Sequence, residues 1–483
     1  MLPKHFSKDQ RLTGNMDVSS NLHPVVPDHL SGPFRTSTNS DVQSTRLDQV
    51  WQTYLALLIR LYYSPASWAL LDQLIVSGMR FATTMLVGLF CGPEDLGIYV
   101  LAFSAILVVS ISHESLIAKP YQILCQGLNR VRYRTYSGST LAQMLALAAV
   151  VSLLALLATL SLLATAVSTK VFFTSLVLTI TLPGILLWEF VRRQAFAAME
   201  MRSAAILDGC LALIQLACLL SLGLLGQLTV VRALLVVGIS GGVIGVVRLL
   251  YRRQDYQFVR RRMGLDAYRN WNFGRWFFAG QIVGLIQSYA VPWLLTLFYG
   301  AEKTGILMAC QTLVLLSNPI LLGLSNWLGP TAVRTYLELG VRGLNRLLWR
   351  VSLISNGCML AFTLLLVWLG EWLLTSTFGT SFAGNGHLVA ITGITALGFS
   401  MTVSGSSGLS AVLYPRVILY GTISGSVVAV LTLPLLVHFW GLTGAAWSLA
   451  SGSLTSGSFH LLGYWLVSKT AHLHQDVQPM ENQ

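Results

Sequence analysis

The chain has 483 residues, of which 54% are hydrophobic and only 10% charged. A typical soluble domain carries about 25% charged residues, so an ordinary soluble globular protein is excluded. The net charge of +12 does not require nucleic acid as a partner, because membrane proteins concentrate Lys and Arg in their cytoplasmic loops.

The first 45 residues are polar, rich in Ser, Asn, Asp and Pro, and contain no apolar core segment. They lack the form of a cleavable signal peptide, and residues 1–49 read as a disordered cytosolic tail. Residues 50–65 are apolar but too short to span, and they carry Arg60. They are expected to lie in the membrane interface as an amphipathic entry helix that Pro65 ends. Twelve apolar spans follow, near 66–91, 98–118, 140–167, 171–190, 204–224, 229–250, 275–299, 306–328, 347–370, 387–413, 416–438 and 441–467. Each suits a hydrocarbon core of about 30 Å. The pattern predicts an all-α polytopic membrane protein with a six-helix lobe over 66–250, a basic linker over 251–274, a second lobe over 275–467 and a tail over 468–483.

The loops alternate in charge. Those after even-numbered spans hold Lys119, Arg130, Arg132, Arg134, Arg192, Arg193, Arg202, then a run from Arg252 to Arg269, then Arg334, Arg342 and Arg346. Those after odd-numbered spans hold only Lys170 and Lys303. Both termini are therefore expected in the cytoplasm. The six cysteines are scattered, with no CxxC or Cys/His spacing, and they read as small buried hydrophobes rather than metal ligands.

The first span and its turn recur at an offset of 208 residues without a gap. Gln73 falls on Gln281, Leu89-Phe90 on Leu297-Phe298, Gly92 on Gly300, Glu94 on Glu302 and Gly97-Ile98 on Gly305-Ile306. At the position of Arg80 the copy has Ser288. With six spans per half, both halves insert the same way round, as a parallel repeat with a central cleft between two bundles.

The stretch Asp72-Gln73, Ser77-Gly78 and Gly92-Pro93-Glu94 through Gly97 and Tyr99 resembles the first two helices of the polysaccharide-exporter, O-antigen-type flippases. These belong to the superfamily that also contains the multidrug and toxic compound extrusion (MATE) transporters. Trp188-Glu189-Phe190-Val191-Arg192-Arg193 with Asp208 downstream, and Gly441-Leu442-Thr443-Gly444-Ala445-Ala446, match further elements of that family. His113-Glu114 and the long N-terminal tail depart from it. The resemblance implies a MATE-like fold and translocation of a polyprenyl-diphosphate-linked oligosaccharide by alternating access, in a bacterial cytoplasmic membrane. It implies H⁺ or Na⁺ coupling without another cofactor. It also implies membrane lipids and polysaccharide-assembly proteins as partners, in lipopolysaccharide or exopolysaccharide production.

Such a substrate needs cationic contacts for its diphosphate. Gln73, Ser77, Arg80 and Thr84 lie at spacings of four, three and four and so share one helix face. Arg80 is the leading phosphate contact, since its planar fork suits phosphate oxygens and an arginine inside a membrane span is costly unless it has a task. The alternative is a structural ion pair with Asp72 or Asp208. Those two aspartates read either as gating or coupling carboxylates or as helix-start charges. Lys119 is a further headgroup candidate or a snorkelling anchor, and Glu114 a further gating candidate. Glu189, Arg192 and Arg193 read as an interface cluster, with receipt of the headgroup as the alternative. Spans of the second half carry amides instead of charges, namely Gln281, Gln287, Gln311, Asn318, Asn326 and Asn356. Amides can bind sugar hydroxyls or join helices, and Gln281 is included among the substrate contacts.

A small-cation antiporter of the MATE type would require an anionic cavity, in contrast to Arg80. A polyprenyl-dependent glycosyltransferase or polymerase would need a sizeable outer loop with catalytic acids or bases. The sequence offers neither such a loop nor a P-loop.

Overall fold

Gly92, with φ 83° and ψ −179°, splits the first helical stretch into two. Only glycine takes this backbone readily, and Pro93 behind it has the preset φ that suits the first turn of a new helix. The computed structural model describes residues 65–475 except Gly127 and 165–167, all within the unit Tyr62–Gln483. The expectations for the tail and for the entry helix up to residue 64 lie outside the described residues.

The helices are α1 (Pro65–His113), α2 (Lys119–Leu124), α3 (Arg130–Ser161), α4 (Thr169–Ala197), α5 (Met201–Leu224), α6 (Val230–Tyr251), α7 (Arg260–Tyr299), α8 (Ala301–Val314), α9 (Asn318–Phe378), α10 (Gly386–Ala411) and α11 (Pro415–Gln475). No strand occurs among the described residues. Among the described residues, nine stretches are long and apolar enough to cross a membrane, and a pair within α7, bent by 43°, makes a tenth. Three of the nine run to 48–55 residues and break at Gly92, Gly340 and Gly441, and only the first and last of these breaks leave a membrane-length helix on both sides. Split there, the stretches fall into the twelve spans that the sequence predicts, in an all-α polytopic fold.

The differences lie at the helix ends. α3 starts at Arg130, where Asn129 caps it by accepting the Arg132 amide at 2.9 Å, ten residues before the predicted span. The basic linker is also largely helical, since α7 begins at Arg260 and runs unbroken into the membrane stretch. These two extensions meet. Arg132 forms a two-pronged ion pair with Asp266, Tyr136 donates to Asn270 at 2.6 Å, and Asn270 donates to Gln143 at 2.9 Å. Asp266 and Asn270 are buried, so the linker is packed structure rather than a free loop. Polar composition hid this, because hydropathy marks lipid contact and not helix ends. α11 likewise runs to Gln475, past the predicted end of the last span. A π-turn at Glu114–Ala118 precedes Lys119 and Pro120. Pro120 lacks an N–H, and a locally wider turn is one way a helix absorbs that loss.

The internal repeat is visible in the packing. A Cβ on Gly97 would lie 1.9 Å from the carbonyl oxygen of Ala301, and one on Gly305 would lie 1.8 Å from that of Pro93. Since 93 and 301, like 97 and 305, are 208 residues apart, the contact is reciprocal. The first turns of the second helix of each lobe meet backbone to backbone around a pseudo-two-fold axis. Gly300 repeats the break of Gly92, with φ 87° and ψ 167°.

Candidate functional site

Two cavities occupy corresponding places in the two lobes. The first, about 640 Å³ to its open mouth, lies between both halves of α1 and helices α4, α5 and α6. Arg80, Thr84, Tyr99, Ser110, Glu189 and Gln215 give it polar character. The second, about 1300 Å³, lies among α7, α8, the start of α9, α10 and α11. At the repeat offset, Arg80 corresponds to Ser288, Phe103 to Gln311, Ile106 to Val314, Leu107 to Leu315 and Ser110 to Asn318. Every member of these pairs lines the cavity of its own lobe. One ancestral wall has therefore diverged in chemistry. The first carries charge, whereas the second has no ionisable side chain except the phenol of Tyr289.

Arg80 stands near the middle of the 65–91 segment and is exposed to the cavity. Its guanidinium has no hydrogen-bond or ion-pair partner among the described residues, and its backbone carbonyl accepts the Thr84 hydroxyl at 3.0 Å. Leaving that charge in a membrane span costs a few kcal/mol unless water or a ligand meets it. Thr83, buried in the cavity wall, accepts from the Gln215 amide at 2.8 Å. Glu189 faces His113, with Oε2 and Nδ1 at 3.7 Å. His113 is fully buried and neither of its ring nitrogens has a hydrogen-bond partner in this geometry.

Asp72 and Asp208 lie elsewhere, about 12 Å along the helix from Arg80 in the case of Asp72. Both bind the same partner, Arg192, which donates to Asp72 through Nη2 and to Asp208 through Nε. Trp188 Nε1 donates to the other oxygen of Asp208 at 2.8 Å. The two carboxylates are 1% and 0% exposed, so an exposed helix-start charge is not their situation. The structural ion pair considered for Arg80 exists, but Arg192 makes it. The cluster expected of Glu189, Arg192 and Arg193 is likewise distributed, because Arg193 pairs with Glu114 at 2.9 Å while Glu189 turns to His113. At positions 189, 192 and 193 the helix puts all three side chains near one face, but each meets a different partner.

The remaining candidates are not gathered around Arg80. Gln73 donates to Ser77 at 3.3 Å and lines a separate pocket with Gln122, Gln126 and Arg193. Lys119 opens the short helix α2 and is half-buried. Gln281 is exposed on α7 and lines neither lobe cavity. Of the face Gln73–Ser77–Arg80–Thr84, only Arg80 and Thr84 line the first cavity. Among the cavity-lining residues the sequence does not single out Glu189, and it gives no hint that the buried His113 is its neighbour. The spacing of Glu189 from Arg192 was a usable signal, and His113-Glu114 stood out only as a departure from the family pattern.

The chain matches no sequence-family profile and no curated protein sequence. Solved structures do match. An inward-facing MATE family transporter of the MOP superfamily superposes with a TM-score of 0.70 at 13% identity, over 83% of this chain and 95% of that one. The fold is that of the MATE transporters. An outward-facing MATE family transporter gives 0.57 at 13% identity, over 85% and 98% of the two chains. A MOP superfamily transporter from Pyrococcus furiosus, described by a reversed polarity of its binding pocket that suggests a different function, gives 0.60 at 14% identity, over 86% and 98%. At such identities the likeness concerns the MATE fold, and the site must be argued from its own residues.

Proposed function

We propose that the chain is a flippase that carries a polyprenyl-diphosphate-linked oligosaccharide across the cytoplasmic membrane by alternating access, for polysaccharide export. The observation that carries this reading is Arg80, whose guanidinium has no hydrogen-bond or ion-pair partner among the described residues and opens to a cavity near the middle of its span. A diphosphate supplies the two negative charges and planar acceptor geometry that a guanidinium fork binds best. Alternating access is supported by the reciprocal glycine contact, which closes the lobes together at one end while Arg80 stays exposed. Glu189 beside His113 offers a protonatable pair in the same lobe, in keeping with H⁺ coupling.

That same pair favours the second reading, a MATE-type antiporter of small molecules, in which Glu189 would receive an organic cation. Proteoliposomes holding the full chain separate the two. Flipping of a labelled polyprenyl-diphosphate oligosaccharide is expected. It should fall at least tenfold in Arg80→Ala and be partly retained in Arg80→Lys, which keeps the charge but loses the fork. Runs with and without H⁺ and Na⁺ gradients identify the coupling ion. Undiminished flipping by Arg80→Ala would remove the site, and export of a fluorescent organic cation without lipid flipping would establish the antiporter instead.

A further inference from the structure

We propose that the cavity of the second lobe is a glycan subsite, which holds the uncharged sugar rings of the substrate whose diphosphate meets Arg80. This inference rests on the flippase reading and assigns the substrate's second half to a place in the fold.

The walls of the two cavities have diverged. At the repeat positions, Arg80 has become Ser288, Phe103 has become Gln311 and Ser110 has become Asn318. The second cavity has thus exchanged a charge and an aromatic ring for a hydroxyl and an amide, and gained a second amide. Those amides do little to hold helices together. Gln311 reaches Thr395 through Nε2 at 3.5 Å, the limit of a hydrogen bond, and its Oε1 is buried without any partner. A buried acceptor left unpaired costs about 1–3 kcal/mol. The amide of Asn318 makes no hydrogen bond among the described residues. Meanwhile the hydroxyls of Ser288, Thr402 and Ser453 each donate to a backbone carbonyl, at 3.1, 3.0 and 3.0 Å. Their protons are committed, so toward the cavity they have only lone pairs to offer. A wall of acceptors with one free amide donor fits a ligand rich in hydroxyl donors.

The chemistry disfavours other ligands. A hard cation is held by several oxygens that usually include carboxylates, and this lining has no Asp or Glu. An anion would find no Lys, Arg or His there. An apolar lipid chain would strand the amides and hydroxyls without partners. Sugar rings combine hydroxyl edges with apolar C–H faces, and the rings of Tyr289 and Phe399 supply surfaces for those faces.

The two cavities are also near neighbours. Trp293, one turn beyond the cavity-lining Tyr289 on α7, donates to Ser104 at 2.9 Å, beside the Phe103 that lines the first cavity. Tyr289 itself sits just past the 43° bend of α7, between segments 277–286 and 288–299. A diphosphate on Arg80 and a sugar joined to it can therefore span the gap on either side of one tyrosine. About 370 Å³ of the second cavity is free space for a bound molecule, within the roughly 300–1,000 Å³ of small-ligand pockets, which leaves space for a sugar.

The test compares two probes on the full chain in lipid nanodiscs. One is a polyprenyl diphosphate without sugar and the other is the same lipid bearing a neutral disaccharide. Gln311→Leu and Asn318→Leu are expected to weaken the glycosylated probe about tenfold and leave the bare lipid unchanged, whereas Arg80→Ala weakens both. Asn318→Leu breaks no hydrogen bond of the fold, so it keeps the test decisive if Gln311→Leu lowers thermal stability. Equal effects on the two probes, or no effect on either, would overturn the subsite, as would binding that follows Na⁺ concentration and ignores the sugar. Wild-type protein that binds neither probe would overturn the flippase reading itself and this subsite with it.

Discussion

Arg80 on α1 and Arg192 on α4 stand in opposite surroundings. Arg192 is 11% exposed and joins two fully buried carboxylates, so truncating it leaves both Asp72 and Asp208 uncompensated in a low-dielectric interior. Arg192→Met is expected to destabilise the protein by about 3–5 kcal/mol, read as a lowered melting temperature in detergent. Arg80→Ala removes an exposed and unpaired side chain and should shift stability by less than about 0.5 kcal/mol. A melting profile for Arg80→Ala that matches that of Arg192→Met would show that Arg80 is structural after all. The sequence marked Arg80 clearly, because a charge inside an apolar run is visible without coordinates. It could not assign the partner of Asp72, since Arg192 lies 120 residues away, and no local spacing encodes a contact between helices.

Among the elements, the ends of α4, α5 and α6 are fastened by a small charged clasp. Glu200, in the turn between α4 and α5, accepts from Arg248 at 2.8 Å and also from Arg252, which in turn reaches Asp255 at 3.2 Å. Burial alone would raise the Glu200 carboxyl, but the hydrogen bonds from Arg252 and then Arg248 outweigh it and hold it below the usual carboxylate range. A carboxyl depressed by folding stabilises the native state above its unfolded pKa, and that contribution is lost as pH falls through the lower folded value. Melting temperature should therefore gain a downward step as pH drops below the ordinary glutamate range, and Glu200→Gln should remove that step. An identical acid profile in Glu200→Gln would disprove the linkage. Hydropathy placed these helices well, yet it read the residues around the clasp as loop. The extension of α3 by ten residues and the helical linker have the same cause: outside the bilayer, helix is sustained by caps such as Asn129 and ion pairs such as Arg132–Asp266, which leave little trace in an apolar pattern.

At the scale of the whole molecule, the lobes touch where no side chain can be added. Cβ atoms at 97 and 305 would fall within 2 Å of backbone oxygens of the other lobe, well inside any van der Waals contact. Gly97→Val or Gly305→Val should force this end apart. Spin labels placed on the equivalent turn residues Glu94 and Glu302 are expected to show a longer distance in either variant than in the parent. Unchanged distances would mean that the glycine contact does not set the spacing of the lobes. Here the sequence was most informative, since the gap-free offset of 208 residues named the residues on both sides of the joint. It was silent about their meeting, because an alignment relates two segments in ancestry and not in space.

The joint has a consequence for how such a molecule could arise. Pro93 touches the mate of Gly97, and Gly97 touches the mate of Pro93, which is the arithmetic of an isologous interface in a two-fold dimer. A surface of that kind is complementary to itself. A half-length chain of six spans, inserted one way round, would already possess everything needed to pair with its twin through this patch. Fusion then adds only the tether, and frees each copy to change its cavity without spoiling the joint: one now carries an arginine, the other amides.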